Sequence, residues 1–402
     1  MEIVAQDSIW KLKGCVQNYP WGGTEYIPGL ICLSNEEQKP FAELWFGQHP
    51  SCPSMTSEGT NLAELMAASP ERFLTPAERA HWGDGLPFLC KILDVRDMLS
   101  IQIHPDLDQA GAGFLKEEEL GIDPRAFNRT FRDRNHKPEL MYALSEFYLL
   151  HDFRTDEEII GLLKDIPELE QVYDKFRVLG LIDFYPWYMS RSQDQIDELL
   201  GTWVSGFASQ EDDENREKPE YWVRRAIDRF CQDSYIDRGI LSFYLMNIVR
   251  LQPGEVIYQG SGIPHAYLSG QNVEIMANSD NVIRGGLTSK YIDYEALGEM
   301  VRFDSRSIHL LSGVRKDQAL QEFIPPVDDF QLSVIDLPSR QSYEWRATHV
   351  SILFSTCNCI KVQTATQSLR VGGGEAVLIR AGEKIIIQSQ FSTPVFVVSA
   401  QR

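Results

Sequence analysis

Over the first 153 residues, hydrophobic and polar positions alternate over short distances. Glycine and proline interrupt them at Gly22-Gly23, Pro50, Pro53 and Gly83-Asp84-Gly85. This pattern predicts short strands joined by turns. In Ser100-Ile101-Gln102-Ile103-His104-Pro105-Asp106, Ile101 and Ile103 alternate with Gln102 and His104, the period of a strand with one apolar and one polar face. Pro105 ends that strand because it has no N–H for a ladder. A helix is expected from Leu62 to Leu74, capped by Asn61. A short helix near Phe114 to Leu120 is expected within a charged excursion over 106–134 that carries Gly111, Gly113 and Gly121.

The period changes at Thr155-Asp156-Glu157-Glu158. Thr155 and Glu158 have capping-box spacing, and Ile159, Leu162, Leu163 and Ile166 repeat at helical intervals. Further helices are expected from Leu169 to Leu179, Asp194 to Phe207 and Pro219 to Gln232, with Glu211 to Lys218 as a solvated connection. Residues 154–238 thus read as a helical insertion in a β-rich chain. Strands resume at Leu245–Val249 and Glu255–Tyr258, and a second β-rich region runs from Pro325 to Arg402. Pro253-Gly254-Glu255-Val256 and Gly373-Gly374-Glu375-Ala376 are similar turn-into-strand stretches.

At 402 residues the chain exceeds one comfortable core, so two or three domains are expected. Its net charge of −20 argues against nucleic acid or an anionic membrane surface as partner. An anionic substrate would therefore need a local cationic pocket. The seven cysteines are scattered and read as reduced thiols of a cytoplasmic protein. Met1 to Asp7 lack signal-peptide character, and no apolar run approaches membrane-spanning length.

Gln102 and His104 point the same way. Alone they fit a solvated strand face, but two other stretches change the balance. Asn135-His136-Lys137-Pro138-Glu139 gathers an imidazole, an ammonium and a carboxylate, and Gly262-Ile263-Pro264-His265 delivers one histidine from a turn into a strand. Gln102, His104, Glu139 and His265 together offer an amide oxygen, two imidazoles and a carboxylate, a set that suits zinc.

The chain resembles the type I mannose-6-phosphate isomerases, in particular the bacterial form. The resemblance rests on Asn18-Tyr19-Pro20-Trp21-Gly22, Ala42-Glu43-Leu44-Trp45, Leu86 to Lys91, Ser100 to Asp106, Asn135 to Leu140, Pro264 to Leu268 and Glu274 to Asp293. It spans most of residues 1–336. It implies a mainly β fold with a helical insertion: two cupin-like jelly-roll barrels plus an α-helical domain. The boundaries would be 1–153 with 239–324 for the catalytic barrel, 154–238 for the helices and 325–402 for the second barrel. It also implies one zinc ion on Gln102, His104, Glu139 and His265, and a monomer acting on a small sugar phosphate.

On the same resemblance, Arg284 is the catalytic arginine that stabilises an enediolate. Lys137 is open to two roles, proton transfer and phosphate binding. Asp280 and His136 either assist ring opening or orient metal ligands. Lys91, Ser100 and Lys290 are expected at the phosphate, and Trp21 either lines the pocket or belongs to the core. His49, His81, His151, His309 and His349 are taken as incidental. An Fe(II) cupin oxygenase and a non-catalytic sugar-phosphate binder are the competing readings. Gln102 argues against the first, and Lys137 with Arg284 against the second.

Overall fold

A computed structural model of the chain describes residues 7–207, 214–232, 235–303, 308–357 and 359–401. The first half supplies six short strands: β1 (Ile9–Lys13), β2 (Cys15–Gln17), β3 (Glu43–Phe46), β4 (Met55–Thr56), β5 (Phe88–Val95) and β6 (Ile101–Ile103). β7 (Glu139–Ala143) and β8 (Phe147–Phe153) follow. After the helical insertion come β9 (Met246–Leu251), β10 (Val256–Gln259), β11 (His265–Ala277) and β12 (Ile283–Gly286). These strands form one sheet, except that β1 and β4 pair elsewhere.

β11 is the strand on which the others turn. Its first residues pair with β6 and β8, and from Gly270 onward it pairs with β5 and β7. Gly270 sits at the changeover with φ +126, and a Cβ there would meet the Glu146 carbonyl oxygen at 2.6 Å. Only glycine allows both that backbone conformation and the close approach.

Alternation along β6 sorts its neighbours. Ile101 and Ile103 join Leu163, Phe176 and Trp222 of the helical insertion in one apolar cluster, leaving Gln102 and His104 for the opposite face. On β5, Phe88, Cys90 and Ile92 pack with Leu332, Ile352, Phe354, Leu378 and Phe396 of the C-terminal region, while Lys91 turns inward. That region is an eight-stranded sheet, completed by β1 and β4, and a four-stranded sheet. β1 pairs with Glu375–Ile379, so the chain's first strand lies in its last sheet.

Helix boundaries differ from expectation for local reasons. The helix capped by Asn61 runs Leu62–Ala68 and stops before Leu74, because Ser69 leaves helical geometry and Pro70 starts a separate 3₁₀ turn. The helix expected near Phe114 begins earlier, at Leu107, because Asp106 and Gln109 form a capping box that outweighs Gly111 and Gly113. The Thr155–Glu158 capping box is present and opens the helix Asp156–Leu163. The Leu169–Leu179 helix runs from Glu170 to a break at Gly180, which takes φ 66, and a second helical stretch not expected from the sequence continues to Met189. Gln193–Phe207 and Pro219–Phe230 agree closely with the sequence. Part of the polar connection, 211–213, lies outside the described residues, as does Arg402.

The expectation of seven free thiols fails at Cys15 and Cys52, which form a disulfide. Pairing of β2 with β3 sets Cys15 opposite Trp45, and the turn beyond β3 returns Cys52 to it across 37 positions, with Cα atoms 5.6 Å apart. The contact is made by a hairpin and has no signature in cysteine spacing.

Glu78 ties the two halves together. Its carboxylate accepts the Thr75 N–H at 2.7 Å, completing a capping box, and the Val350 N–H at 2.6 Å. Glu78→Ala removes a cap and strands a buried N–H, so it should cost about 2–4 kcal/mol. Urea unfolding checks this; an unshifted midpoint would refute it.

Candidate metal centre

A single rung crosses five strands. Asn247 on β9 is opposite His151 on β8, His151 is opposite His265 on β11, His265 is opposite Gln102 on β6, and Gln102 is opposite Arg284 on β12. Directly opposed side chains share a sheet face. The expected ligands Gln102 and His265 and the expected catalytic Arg284 are therefore neighbours. His104, two residues beyond Gln102, keeps the same parity.

His104, Glu139 and His265 converge as one buried group of possible metal ligands. The His104 Nε2 lies 3.2 Å from Glu139 Oε1, and the His265 Nε2 lies 3.3 Å from Oε2. Each ring is held from behind: His104 Nδ1 lies 2.9 Å from the Asn281 carbonyl oxygen and His265 Nδ1 3.0 Å from that of Ile263. A carbonyl only accepts, so each Nδ1 carries the proton and each Nε2 presents a lone pair. Burial pushes the His104 imidazole down to about 4, so it is neutral near pH 7. Two lone pairs thus face a carboxylate, acceptor against acceptor, which is favourable only with a cation between them. One ligand atom from each of the three side chains lies within 4.8 Å of the others, close enough for one ion to reach all three.

Lys137 Nζ stands 3.1 Å from Glu139 Oε1. Burial alone would raise the Glu139 carboxyl, but the Lys137 ammonium is the first of the groups that hold it well below the usual carboxylate range. Arg284, Arg132 and Lys290 form a second charged group. Burial and Arg132 lower the Arg284 guanidinium, and burial with both arginines lowers Lys290. Cations that oppose one another in this way make a site for an anion.

This centre can be set beside known proteins. A family model of the type I phosphomannose isomerase catalytic domain matches residues 9–156. The mannose-6-phosphate isomerase of Escherichia coli K12 is 33% identical over 382 residues, covering 93% of this chain and 95% of that one. The mouse enzyme is 30% identical over 96% and 95% of the two chains. The chain belongs to the type I mannose-6-phosphate isomerase family. A crystal structure of the Salmonella typhimurium mannose 6-phosphate isomerase, bound to fructose 6-phosphate and zinc, superposes with a TM-score of 0.87. It has 31% identity and covers 98% of this chain and all of that one.

The other residues expected from the family are placed unevenly. Lys91 is buried, with Nζ 2.9 Å from Glu274, 3.7 Å from Glu43 and 5.0 Å above the Trp45 ring. Burial opposes its charge, yet the two carboxylates raise its pKa. His136 is tied to Asp329 at 3.0 Å. Asp280 is half exposed, with Oδ1 3.5 Å from His49 Nε2. Ser100 leads into β6 partly buried, Lys290 lies exposed after β12, and Trp21 packs beside Leu93 and Tyr267. Trp21 also stacks on Tyr19 at 5.9 Å.

Several residues of this isomerase centre were not singled out from the sequence. Arg132 could have been noticed in the run Arg132-Asp133-Arg134, and Tyr19 lies inside a family motif, its hydroxyl feeling Glu43, Lys91 and Asp280. His151, set aside as incidental, stands beside His265 and is buried, with both ring nitrogens lacking hydrogen-bond partners. Only strand register reveals it.

Proposed function

We propose that the protein is a zinc-dependent isomerase interconverting D-mannose 6-phosphate and D-fructose 6-phosphate through an enediolate. The observation that carries this reading is the pair of buried imidazole lone pairs facing Glu139. Gln102, His104, Glu139 and His265 would hold one zinc ion. When bound, the ion supplies positive charge beside the sugar's carbonyl and hydroxyl oxygens.

The chain's own groups do the rest. Asp280 takes the anomeric hydroxyl proton as the C1–O5 bond breaks, and His136, oriented by Asp329, gives O5 a proton. Lys137, acting as the free amine, removes the C2 proton of the open aldose and returns it at C1, while the hydroxyl proton passes from O2 to O1. Arg284 faces the negative oxygen that appears between those steps. Lys290, Arg132, Lys91 and Ser100 receive the phosphate, and Trp21 with Tyr19 walls the pocket.

We further read the sheets as two cupin-like jelly rolls, one formed by 1–153 with 239–324 and one by 325–402, with the helices of 154–238 set into the first. An apolar cluster built almost wholly from the C-terminal strands supports the second unit, although β5 packs across to that unit and β1 and β4 pair with it. A monomeric, cytoplasmic enzyme is our reading; five of the seven cysteines are free, the Cys15–Cys52 bridge being the exception, and no helix of the described residues is long and apolar enough to cross a membrane.

The test is an isomerase assay coupled to fructose 6-phosphate detection, run on protein of measured zinc content. Because the chain carries −20 overall, affinity for an anionic sugar must come from the local cations. Losing two charge-assisted contacts costs about 3–6 kcal/mol. Mannose without phosphate should therefore have a kcat/KM lower by about 10²–10⁴. Equal turnover of the two sugars would defeat the phosphate pocket.

A further inference from the structure

His49 has a place in the site that neither its sequence context nor the residue roles above give it. It lies just after β3, is 5% exposed, and is held on three sides. Its Nδ1 lies 3.3 Å from the Ser51 backbone N–H, which can only donate. Its ring meets Trp45 edge-on, 5.1 Å between centroids at 88°. Its carbonyl oxygen accepts the Cys52 N–H at 3.0 Å, and Cys52 is bonded to Cys15 on β2. With Nδ1 accepting, the proton of the neutral ring is on Nε2, and Nε2 lies 3.5 Å from Asp280 Oδ1.

A histidine that only fills a core meets backbone or another core group with its second nitrogen. This one reaches out of the core to a half-exposed carboxylate.

Asp280 needs such a partner. It follows β11 in a turn, with its backbone N–H held by Asp133 Oδ2 at 2.8 Å, but its side chain is 45% exposed. The groups facing it are His49, Lys137 and Arg132, with the Tyr19 hydroxyl and the Asp133 carboxylate nearby. Lys137 pairs with Glu139 at 3.1 Å and Arg132 stands by Arg284 and Lys290, and among the described residues neither forms an ion pair with Asp280. His49 alone supplies a directed N–H from a rigid wall.

We propose that His49 is the positioning residue for Asp280, its Nε2–H fixing one carboxylate oxygen so that the other faces the sugar. The wall that holds it, from the Cys15–Cys52 bridge through the His49–Cys52 turn to Trp45, also carries the Trp45 ring over Lys91. One buried support therefore sets both Asp280 and Lys91. The inference rests on the reading of Asp280 as the group that takes the anomeric proton.

The hydrogen bond from His49 is the first cause that holds the Asp280 carboxyl below its ordinary value, followed by Lys137 and Arg132 against the effect of burial. Removing it raises that pKa, so the base is lost at a higher pH as acidity increases. The acidic limb of kcat should move to higher pH.

The experiment compares His49→Phe, His49→Gln and Asp280→Asn on mannose 6-phosphate across pH, with zinc content and melting temperature measured on each. His49→Phe keeps a ring against Trp45 but has no donor. It should lower kcat by about tenfold or more with little change in KM, at full zinc content, and shift the acidic limb upward. His49→Gln, which keeps an N–H donor, should restore most of kcat and the position of that limb; if the phenylalanine variant does not fold, His49→Leu serves as the donor-free variant. His49→Phe added to Asp280→Asn should cost nothing further. If Asp280→Asn is inactive while both His49 variants keep wild-type kcat and pH profile, the His49 inference is overturned and the reading of Asp280 stands. If Asp280→Asn keeps full activity, the reading of Asp280 is overturned and this inference with it.

Discussion

His104→Ala is expected to give a folded protein that neither retains zinc nor isomerises the sugar phosphate. His104 is fully buried, and its Nε2 has no hydrogen-bond partner although it lies 3.2 Å from a carboxylate oxygen. An atom placed that way stabilises nothing unless a cation is present, so removing it weakens the centre far more than the fold. Loss of a group that merely orients a ligand lowers metal affinity by about 10–100-fold, and loss of a ligand should exceed that. Glu139 would remain with Lys137 at 3.1 Å, and the pair would then close on itself. Zinc titration of the apo-protein against a chromophoric chelator, with circular dichroism as a control for folding, checks the expectation. Stoichiometric, tightly held zinc and wild-type turnover in His104→Ala would remove it from the ligand set.

Arg284→Ala is expected to lower turnover by about 10²–10³, or roughly 2.7–4 kcal/mol, while changing KM much less. Its guanidinium lies next to Gln102 on the rung and is opposed by Arg132. That is a poor environment for a cation at rest and a good one once negative charge develops. Arg284→Lys should recover little, because an ammonium has no planar fork of donors. Zinc content should not change. Melting temperature should stay level or rise, since the substitution relieves repulsion with Arg132 and Lys290. Steady-state kinetics with metal and stability measured on the same preparations provide the check. Unchanged turnover with a raised KM would reassign Arg284 to ground-state phosphate binding.

What the sequence made legible was chiefly what depends on local period and local caps. Alternation over Ile101 to His104 identified the polar face of β6, and Thr155 with Glu158 identified the start of the helical insertion, because both signals lie within a few residues. The boundary at Ser69 was missed because one residue leaving helical geometry ends a helix without disturbing its hydrophobic pattern. The end expected at Leu179 meets the break at Gly180, and only the helical stretch beyond it was missed. The Cys15–Cys52 bridge, His49 beside Asp280 and His151 beside His265 were missed for another reason. Each depends on which strand or turn pairs with which across many intervening positions, and no short window of sequence carries that information. Arg132 is intermediate: its charge was visible, but not its place near Arg284.

The pairing of β1 with Glu375–Ile379 also has a consequence in time. A ribosome releases the chain from its N-terminus at about 5–20 residues per second. Ile9–Lys13 must therefore wait about 20–70 seconds for its partner strand to be made. During that interval the residues of β3, β5 to β8 and β11 can already close around the ligand side chains, while β1 stays an open edge. A nascent chain that has passed Gly286 but not Glu375 thus has every proposed ligand residue and an unfinished sheet. Such a chain should take up zinc before it can resist a protease at its own first strand.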